Sequence, residues 1–388
     1  MLQLEALQAN DGDCLLLRYG AAAKPSLILI DGGSAGVYRD VLANRLEQLR
    51  GRSPALSLRL VVVSHIDADH ITGIVDMFKQ MSESVNDGVT PRWKVSSLWH
   101  NAFEKVVGSH PVSASTATVA AAAAGEANLR DLIDNGLDDE QAVAVVASVK
   151  QGKDLQGLAK ATLAKINAET KGKLIVAPEA GRNDISIDKG LKFTILGPRQ
   201  MELLKLEKEW NKSKAKHPAD ESAAAADYLN RTIPNLSSIV FLAEYTHDTA
   251  QTTRMLFTGD AGGDLILEGL EAAGLVDSDG KIKVDILKVQ HHGSNHSVDI
   301  GFFRRVIADR YVISGNGKHG IPHMDTLGWL SDARKGEACR IYMTNRHLVD
   351  GGRDFTEKLD AFLAQEAANR PMHEYQFRRD PDLSIVIS

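Results

Sequence analysis

Two histidines and two aspartates lie within six residues of one another, directly after an apolar stretch. The segment reads Val61-Val62-Val63-Ser64-His65-Ile66-Asp67-Ala68-Asp69-His70. Such a density of carboxylates is costly when buried, unless a cation lies among them. Because alternate side chains of a tight loop point the same way, we expect His65 and Asp67 to face one ion and Asp69 and His70 a second. The other interpretation, a solvated acidic turn with Asp69 as a helix cap, leaves both histidines unexplained.

A further carboxylate follows another apolar stretch. The segment Leu256-Phe257-Thr258-Gly259-Asp260 reads as a strand that ends in a glycine, which permits close backbone approach. Alone the pattern is weak, because many turns combine a glycine and an aspartate after a strand. Beside the first cluster, we expect Asp260 to bridge two metal ions.

A third strand ends in a pair of histidines. Ile286–Val289 is followed by Gln290-His291-His292-Gly293-Ser294. We expect His291 to be a ligand of the second ion, with His292 as the alternative ligand or as a residue behind the ligands. Lys288 and Ser294 lie beside these histidines, and we interpret both as candidates for contact with an anionic substrate.

The composition fits a globular enzyme that contains an extensive core. The 388 residues include 43% hydrophobic and 25% charged residues, and the net charge is −6. An acidic chain does not favour broad electrostatic binding of duplex nucleic acid. Two cysteines exclude a cysteine-built zinc site and a disulfide framework. Apolar runs are too short to cross a bilayer and no leader segment is evident, so we expect a cytoplasmic protein without a membrane partner.

Apolar periodicity predicts a mixed α/β protein. Short apolar strands are interleaved with segments of helical period, and no internal repeat is found. Two regions, about 104–172 and 199–232, differ in composition from the rest of the chain. They are rich in alanine or in charged residues at helical spacing. We therefore expect one domain over residues 1–388 with helical insertions in those two regions.

Taken together, these motifs resemble the metallo-β-lactamase superfamily, and most closely the hydrolase domain of ComEC-type DNA-uptake proteins and their soluble relatives. The resemblance is carried by His-x-Asp-x-Asp-His, Thr-Gly-Asp and His-His-Gly-Ser, with three further pieces: Gly12-Asp13-Cys14, Leu29-Ile30-Asp31-Gly32-Gly33, and Asn316 with Pro322-His323. It implies an αββα sandwich, two mixed sheets flanked by helices, with a two-metal site at the strand ends.

The resemblance also implies roles for single residues. His65 and Asp67 would bind metal one, and Asp69, His70 and His291 metal two, with Asp260 between them. Asp69 and His323 are the candidates for catalytic roles, His323 as a proton donor or a phosphate contact, and Asn316 for substrate binding.

The chain departs from the family at two positions. The usual second histidine is Asp67, as in the ComEC-like branch. The usual third-motif histidine is absent from Asn235-Leu236-Ser237-Ser238, so that either Asn235 or Ser237 replaces it or the first metal position is weak. Oxygen ligands in place of imidazole shift the preference from zinc towards harder ions. We therefore expect two divalent ions, Zn²⁺ or Mn²⁺.

The favoured function is metal-dependent hydrolysis by hydroxide supplied at a dinuclear site, in a phosphodiesterase or nuclease. The substrate would be single-stranded nucleic acid or a small phosphodiester. One alternative is an ester, lactone or thioester hydrolase, which a sheltered apolar pocket under the insertions would favour. Another is a catalytically weak partner-binding protein of the same fold. The insertions could also form a homodimer surface or bind a protein partner. His100 is a further histidine that could approach the cleft.

Overall fold

A computed structural model describes residues 1–101, 139–216 and 237–387 of the chain. The strands, in chain order, are β1 (Leu2–Leu7), β2 (Leu15–Ala21), β3 (Lys24–Ile30), β4 (Leu56–Val62), β5 (Trp93–Trp99), β6 (Lys165–Ile166), β7 (Asn183–Asp188), β8 (Leu191–Gly197), β9 (Val240–Thr246), β10 (Thr252–Phe257), β11 (Ile282–Lys288), β12 (Val306–Ile313), β13 (Cys339–Met343), β14 (Val349–Asp350), β15 (Arg353–Asp354), β16 (His373–Phe377) and β17 (Ser384–Ile387).

The described helices connect these strands. They are α1 (Ala43–Arg50), α2 (Ala68–Asn86), α3 (Asp139–Ala161), α4 (Gln200–Lys216), α5 (Gly263–Ala272), α6 (Ile300–Arg305), α7 (Met324–Ala333) and α8 (Thr356–Asn369). Within the described parts of the chain, none of these helices combines the length and apolar character needed to cross a membrane.

Two large mixed sheets contain nearly all the strands. The first has the order β17-β1-β2-β3-β4-β5-β6, the second has the order β16-β13-β12-β11-β10-β9-β8-β7, and β14 and β15 form a separate ribbon. In the first sheet β3, β4 and β5 are parallel, and in the second β10 to β13 are parallel. The carboxyl ends of parallel neighbours meet at one edge of a sheet, where α/β proteins place their ligand sites. The motif residues that follow β4, β10 and β11 all lie at such ends.

Three apolar clusters hold these layers together. The first lies between the sheets and includes Phe193 and Phe241, whose rings stack 4.5 Å apart. The second covers the outer face of the first sheet, where residues of α1, α2 and α3 pack. The third covers the outer face of the second sheet beneath α5 to α8. The predicted α/β class is confirmed, and the layering is compatible with the predicted sandwich.

The two predicted insertions differ from expectation in detail. Residues 104–172 are not helical throughout, because Lys165–Ile166 forms β6 and pairs with β5. Before it, α3 is helical as predicted, and residues 102–138 lie outside the described part. The second region contains α4, and residues 217–236 lie outside the described part.

A close backbone approach joins β3 to the start of α2. A Cβ atom at Gly73 would lie 2.0 Å from the carbonyl oxygen of Gly32, and a Cβ at Gly32 would lie 2.4 Å from the amide nitrogen of Ile74. The backbone amide of Gly32 also donates to the carbonyl of His70 at 2.8 Å. Glycines at both positions therefore let the first turn of α2, with its motif residues, lie against the end of β3.

Candidate metal centre

The first motif is positioned by the end of β4 and the start of α2. Asp67 precedes the helix, and Asp69 and His70 lie in its first turn. His65 and His70 are 3% and 0% exposed. Asp31, at the end of β3, accepts hydrogen bonds from the amide of Ser64 at 2.8 Å and from its hydroxyl at 2.7 Å. This aspartate therefore fixes the chain just before the first histidine.

Asp260 is held in a tight turn after β10. The turn passes through Gly259 at φ +50°, where an added Cβ would contact Ser238 and Ser64 at 3.2 Å. The amide of Asp260 lies 3.3 Å from the hydroxyl of Ser238 and donates to it. Ser238 thus helps to hold the turn that carries this carboxylate, and Asn235 lies outside the described residues.

The two histidines after β11 have a strained backbone. His291 and His292 both adopt positive φ, +46° and +53°, and Gly293 follows at +87°. For a residue with a side chain this left-handed conformation costs roughly 1–2 kcal/mol. Such strain is found preferentially at functional sites. It also sends the two imidazoles in different directions, since their rings are tilted by 74°.

Asp260 lies between two sets of ligand atoms, one for each carboxylate oxygen. We call Asp69, His70 and His292 the Oδ1 half of the centre. His70 Nε2 and His292 Nε2 are 3.2 Å apart, and they lie 3.3 and 3.6 Å from Asp260 Oδ1. Asp69 Oδ2 is 3.2 Å from His292 Nε2 and 3.7 Å from His70 Nε2.

The second set, the Oδ2 half, contains His65, Asp67 and His291. His65 Nε2 lies 3.4 Å from Asp67 Oδ2 and 3.7 Å from Asp260 Oδ2. His291 Nε2 lies 3.7 Å from the same Asp260 oxygen. His292 thus lies with Asp69 and His70, as in the alternative expectation, whereas His291, the preferred ligand of that position, lies with His65.

These spacings fit cation binding. Ligand atoms about 2.0–2.1 Å from a tetrahedral ion lie about 3.3–3.4 Å from one another, and the observed separations scatter around that value. The buried atoms His65 Nε2 and Asp260 Oδ1 have no hydrogen-bond partner among the described residues. Asp13, His70, Asp260 and His292 each place a ligand atom within 4.8 Å of the others, so this cluster could hold a metal ion.

Each imidazole has an oxygen atom beside its Nδ1, which leaves Nε2 turned towards the centre. The contacts are His65 with Ser64 Oγ at 3.0 Å, His70 with Asp31 Oδ2 at 3.0 Å, His291 with Ser297 Oγ at 2.7 Å, and His292 with Asp13 Oδ1 at 3.5 Å. Metal-binding histidines in proteins are oriented in this way by outer partners.

The charges of the cluster are strongly coupled. Burial would raise the pKa of Asp260, but His70, His292 and the other histidines lower it well below its usual value. Burial lowers the pKa of His292, yet Asp260 and Asp13 raise it to about 10. The pKa of His70 is likewise raised, because Asp260 and Asp69 outweigh its burial. Without a cation, protonated His70 and His292 therefore balance the charge of the ionised carboxylates.

Lys288 does not face a substrate. Its side chain is 1% exposed, and its ammonium contacts Asp13 Oδ2 at 2.8 Å and the carbonyl of Val289 at 2.9 Å. The expectation of a substrate contact is therefore wrong, because both contacts hold the ammonium inside the protein. Ser294 is also buried, at 1% exposure, and its hydroxyl accepts from the amide of His296 at 3.4 Å. It closes the loop after the histidines and offers no exposed contact surface.

His323 and Asn316 lie in the loop that follows β12. The Nδ1 atom of His323 accepts a hydrogen bond from the amide of Asn295 at 3.1 Å, so its neutral ring carries the proton on Nε2. Burial and nearby His296 lower the pKa of His323, against the opposing effect of Asp325. Asn316 Oδ1 accepts from the amide of Lys318 at 3.1 Å and shapes the loop. Roles of both residues towards a substrate stay predictions.

His100 is a structural residue. It is 1% exposed, and its Nε2 lies 3.2 Å from the carbonyl oxygen of Gly152 in α3. A Cβ at Gly152 would also contact Ile66, inside the first motif, at 3.5 Å. Helix α3 therefore packs directly on the loop that bears His65 and Asp67.

Sequence reasoning assigned no role to four residues that surround the ligands: Asp13, Asp31, Ser64 and Ser297. Asp13 and Asp31 lay in segments quoted only for their resemblance, and their positions after a turn and a strand gave no sign of which histidine each would contact. Comparison of the chain with protein-family models and with curated proteins finds no match.

Proposed function

We propose that this protein is a metal-dependent hydrolase with a dinuclear cation centre, and that phosphodiesters are its substrates. The observation that carries the proposal is the convergence of four imidazole Nε2 atoms on the two oxygens of one buried aspartate, Asp260. The motifs that carry the metallo-β-lactamase resemblance supply these residues. Zn²⁺ and Mn²⁺ are the expected ions, since imidazole suits zinc and the three carboxylates suit harder ions.

When bound, a pair of divalent ions polarises a phosphoryl group and lowers the pKa of a water molecule towards neutrality. Asp260 would hold both cation positions at a fixed separation. His65, Asp67 and His291 would complete one position, and Asp69, His70 and His292 the other. The outer partners of the histidines keep the ring nitrogens oriented without rearrangement, which favours a preorganised site.

In the proposed mechanism, His323 is the side chain that would contact the substrate without binding a metal ion. Its lowered pKa and its occupied Nδ1 make it a neutral donor at pH 7, with the proton on Nε2. Such a group can donate a hydrogen bond from Nε2 to a phosphoryl oxygen of the substrate, whereas transfer of a proton to a leaving alkoxide would require the imidazolium form. The ring of His296 lies 6.0 Å away and is exposed at the surface, which adds a second imidazole to the same rim.

Two rival functions are less well supported. Hydrolysis of an ester or thioester would be favoured by an apolar pocket beneath the insertions, but α3 packs directly against Ile66 and His100. A partner-binding protein without catalysis would have no need for buried, converging ligands and a strained His291-His292 backbone. Buried charged groups without a counter-ion are costly, so this arrangement supports a working cation site.

A substrate screen with matched variants tests the proposal. Purified protein is supplied with Mn²⁺ or Zn²⁺ and incubated with single-stranded DNA, RNA, bis-para-nitrophenyl phosphate and a thioester. We expect phosphodiester cleavage that requires the metal and is lost in the Asp69→Ala, His70→Ala double variant. The His247→Ala, Asp248→Ala double variant removes the same residue types from a surface turn and should keep full activity.

Thioester cleavage without phosphodiester cleavage would overturn the substrate class. Failure of the purified protein to bind either ion would overturn the proposal as a whole. Loss of activity in the His247→Ala, Asp248→Ala protein would show that the assay reports stability rather than chemistry.

A further inference from the structure

The outer partners of the four histidines divide into two chemical kinds. His70 and His292, in the Oδ1 half, have the carboxylates of Asp31 and Asp13 beside their Nδ1 atoms, at 3.0 and 3.5 Å, and the hydroxyl of Ser64 also lies 3.4 Å from Nδ1 of His70. His65 and His291, in the Oδ2 half, have the hydroxyls of Ser64 and Ser297. A carboxylate behind an imidazole increases the basicity of the ligand more than a neutral hydroxyl does, and thereby strengthens metal binding.

Burial sets His291 apart from the other three histidines. The side chains of His70, His292 and His65 are 0%, 4% and 0% exposed, whereas that of His291, in the Oδ2 half, is 30% exposed. Asp31 and Asp13 are themselves 1% exposed each. Electrostatic support from a carboxylate is stronger in such a buried setting than at the surface, because water screens it less.

Asp13 is held in place from its other side. Its Oδ2 atom pairs with the buried ammonium of Lys288 at 2.8 Å, which leaves Oδ1 directed at His292. The ammonium in turn donates to the carbonyl of Val289. Lys288 and Asp13 therefore connect the end of β11 to the turn between β1 and β2, and they place a carboxylate oxygen 3.5 Å from Nδ1 of His292.

We infer that the two cation positions are unequal, and that Asp31 and Asp13 are positioning residues that make the Oδ1 half the tight position. The Oδ2 half then binds its ion more weakly and exchanges it more readily. This inference rests on the proposed dinuclear centre, and it adds which ion is resident and which is exchangeable.

Calorimetric titration of the metal-free protein with MnCl₂ tests it. We expect two binding steps, the first at least about tenfold tighter than the second. His291→Ala should keep one step, with an affinity within about threefold of the wild-type first step. His292→Ala should keep only a step as weak as the wild-type second step, since it removes a ligand of the tight half.

Two further variants address the outer partners without removing a ligand. Changes of such partners typically reduce metal affinity about 10–100-fold. We expect Asp31→Asn, in the His291→Ala background, to weaken the remaining tight step by that factor. Ser297→Ala, in the wild-type background, should weaken the second step and leave the first within about threefold. Circular dichroism of each metal-free variant separates a folding defect from a binding defect. The double variant Asp13→Asn, Lys288→Met replaces the second outer carboxylate and its ammonium partner by a neutral pair, and it repeats the affinity measurement for Asp13.

The outcomes separate this inference from the proposed function. Two steps of equal affinity, or a tight step that survives in His292→Ala and is lost in His291→Ala, would overturn the inequality while leaving a dinuclear centre intact. An effect of Asp31→Asn no larger than that of Ser297→Ala would overturn the role of the carboxylates. Absence of any binding to the wild-type protein would instead refute the proposed function.

Discussion

Two buried clusters in this protein combine histidine, carboxylate and serine, and their atoms are used in opposite ways. One is the metal centre around Asp260. The other, which we call the structural cluster, lies between α7, α8 and β16 and contains Ser331, Glu366, Arg370 and His373. In it, His373 Nδ1 lies 3.2 Å from Ser331 Oγ and 3.1 Å from Glu366 Oε2, and its Nε2 contacts the carbonyl of Arg334 at 3.1 Å.

Charge is balanced within the structural cluster. Arg370 forms an ion pair with Glu366, and Ser331 donates a hydrogen bond to the same carboxylate. Both nitrogens of His373 therefore have protein partners. In the metal centre, by contrast, two histidine Nε2 atoms face each other at 3.2 Å and a buried oxygen of Asp260 lacks a hydrogen bond among the described residues.

A structural cluster can therefore be distinguished from a ligand site by its hydrogen bonds, even when the residue types agree. A histidine with both ring nitrogens bonded inside the protein has no atom left for a ligand. A histidine whose Nδ1 is held while its Nε2 converges on others has been prepared to bind one. Excess carboxylate then indicates that the ligand is a cation.

Asp260→Asn should have the largest effect, because Asp260 contacts both halves of the metal centre. We expect the bound metal to fall from two ions to at most one. Phosphodiester hydrolysis should fall by about 10³-fold or more, since changes behind a ligand alone cost about 10–100-fold. Elemental analysis and initial rates measure the two effects. The control is Asp264→Asn, which changes an exposed aspartate in the first turn of α5. An equal loss of metal and activity in that variant would show that the effect is not specific to Asp260.

Glu366→Gln should destabilise the protein without changing its metal content. The substitution removes a buried charged acceptor from Arg370, Ser331 and His373, and hydrogen bonds to charged groups contribute about 1.5–3 kcal/mol each. Urea denaturation should show a loss of about 2 kcal/mol or more in the free energy of unfolding, while elemental analysis finds the wild-type amount of metal. A fall in metal content would mean that the two clusters are coupled and that our comparison is wrong.

The sequence was sufficient to single out the ligand residues of the candidate metal centre but not to predict how they divide into two halves. Ligand types after three apolar runs predicted which strand ends carry the site. The ends of β10 and β11 meet because these strands are parallel neighbours in one sheet, whereas β4 belongs to the other sheet and reaches them because the two sheets pack face to face. The sequence could not predict which of His291 and His292 enters which half, since that depends on two consecutive positive φ angles. Nor could it show that Lys288 is buried, because its partner Asp13 is far away in the chain.

Regular elements were predicted where the apolar pattern was strong and missed where it was not. The strand predicted before Gly259 and Asp260 is present as β10, which ends at Phe257. The edge strand β6 consists of Lys165 and Ile166 alone, which is too short for a period to be visible. The structural cluster was not foreseen at all, because its residues are spread over three elements and share no local motif.

The metal-free protein should lose stability as the pH rises, and this loss should come from the metal centre. The pKa of His292 is raised from an ordinary 6.5 to about 10, because Asp260 and Asp13 outweigh its burial. A raised pKa gives stability that is complete below about pH 6.5 and is lost as the pH rises through about 10. Burial would raise the pKa of Asp69, but His70 and His292 lower it from 3.8 to about 2. The contribution of Asp69 to folding stability is therefore lost only in acid, as the pH falls from 3.8 through about 2.

Thermal unfolding between pH 6 and pH 9, with and without Mn²⁺, measures this effect. The melting temperature of the metal-free protein should fall across the range, and added metal should restore it most strongly at the alkaline end, because the cation replaces the protons. The fall in melting temperature per pH unit should be smaller in metal-free Asp260→Asn than in the wild-type protein, and it should be unchanged in Glu366→Gln. A slope that Asp260→Asn leaves intact would place its origin outside the metal centre.

The smallest effects should come from deleting one buried hydroxyl in each cluster. Ser331→Ala removes the hydrogen bond to Glu366, and Ser64→Ala removes contacts with Asp31 at 2.7 Å and His65 at 3.0 Å. Each should cost about 1 kcal/mol of folding free energy. Only Ser64→Ala should also weaken metal binding, by about tenfold, as expected for a group behind a ligand. Competition with a chelator measures the metal affinity of each variant. Ser331 contacts no residue of the metal centre among the described contacts. If Ser331→Ala weakened metal binding as much as Ser64→Ala, the outer partners of the histidines would not determine the metal affinity.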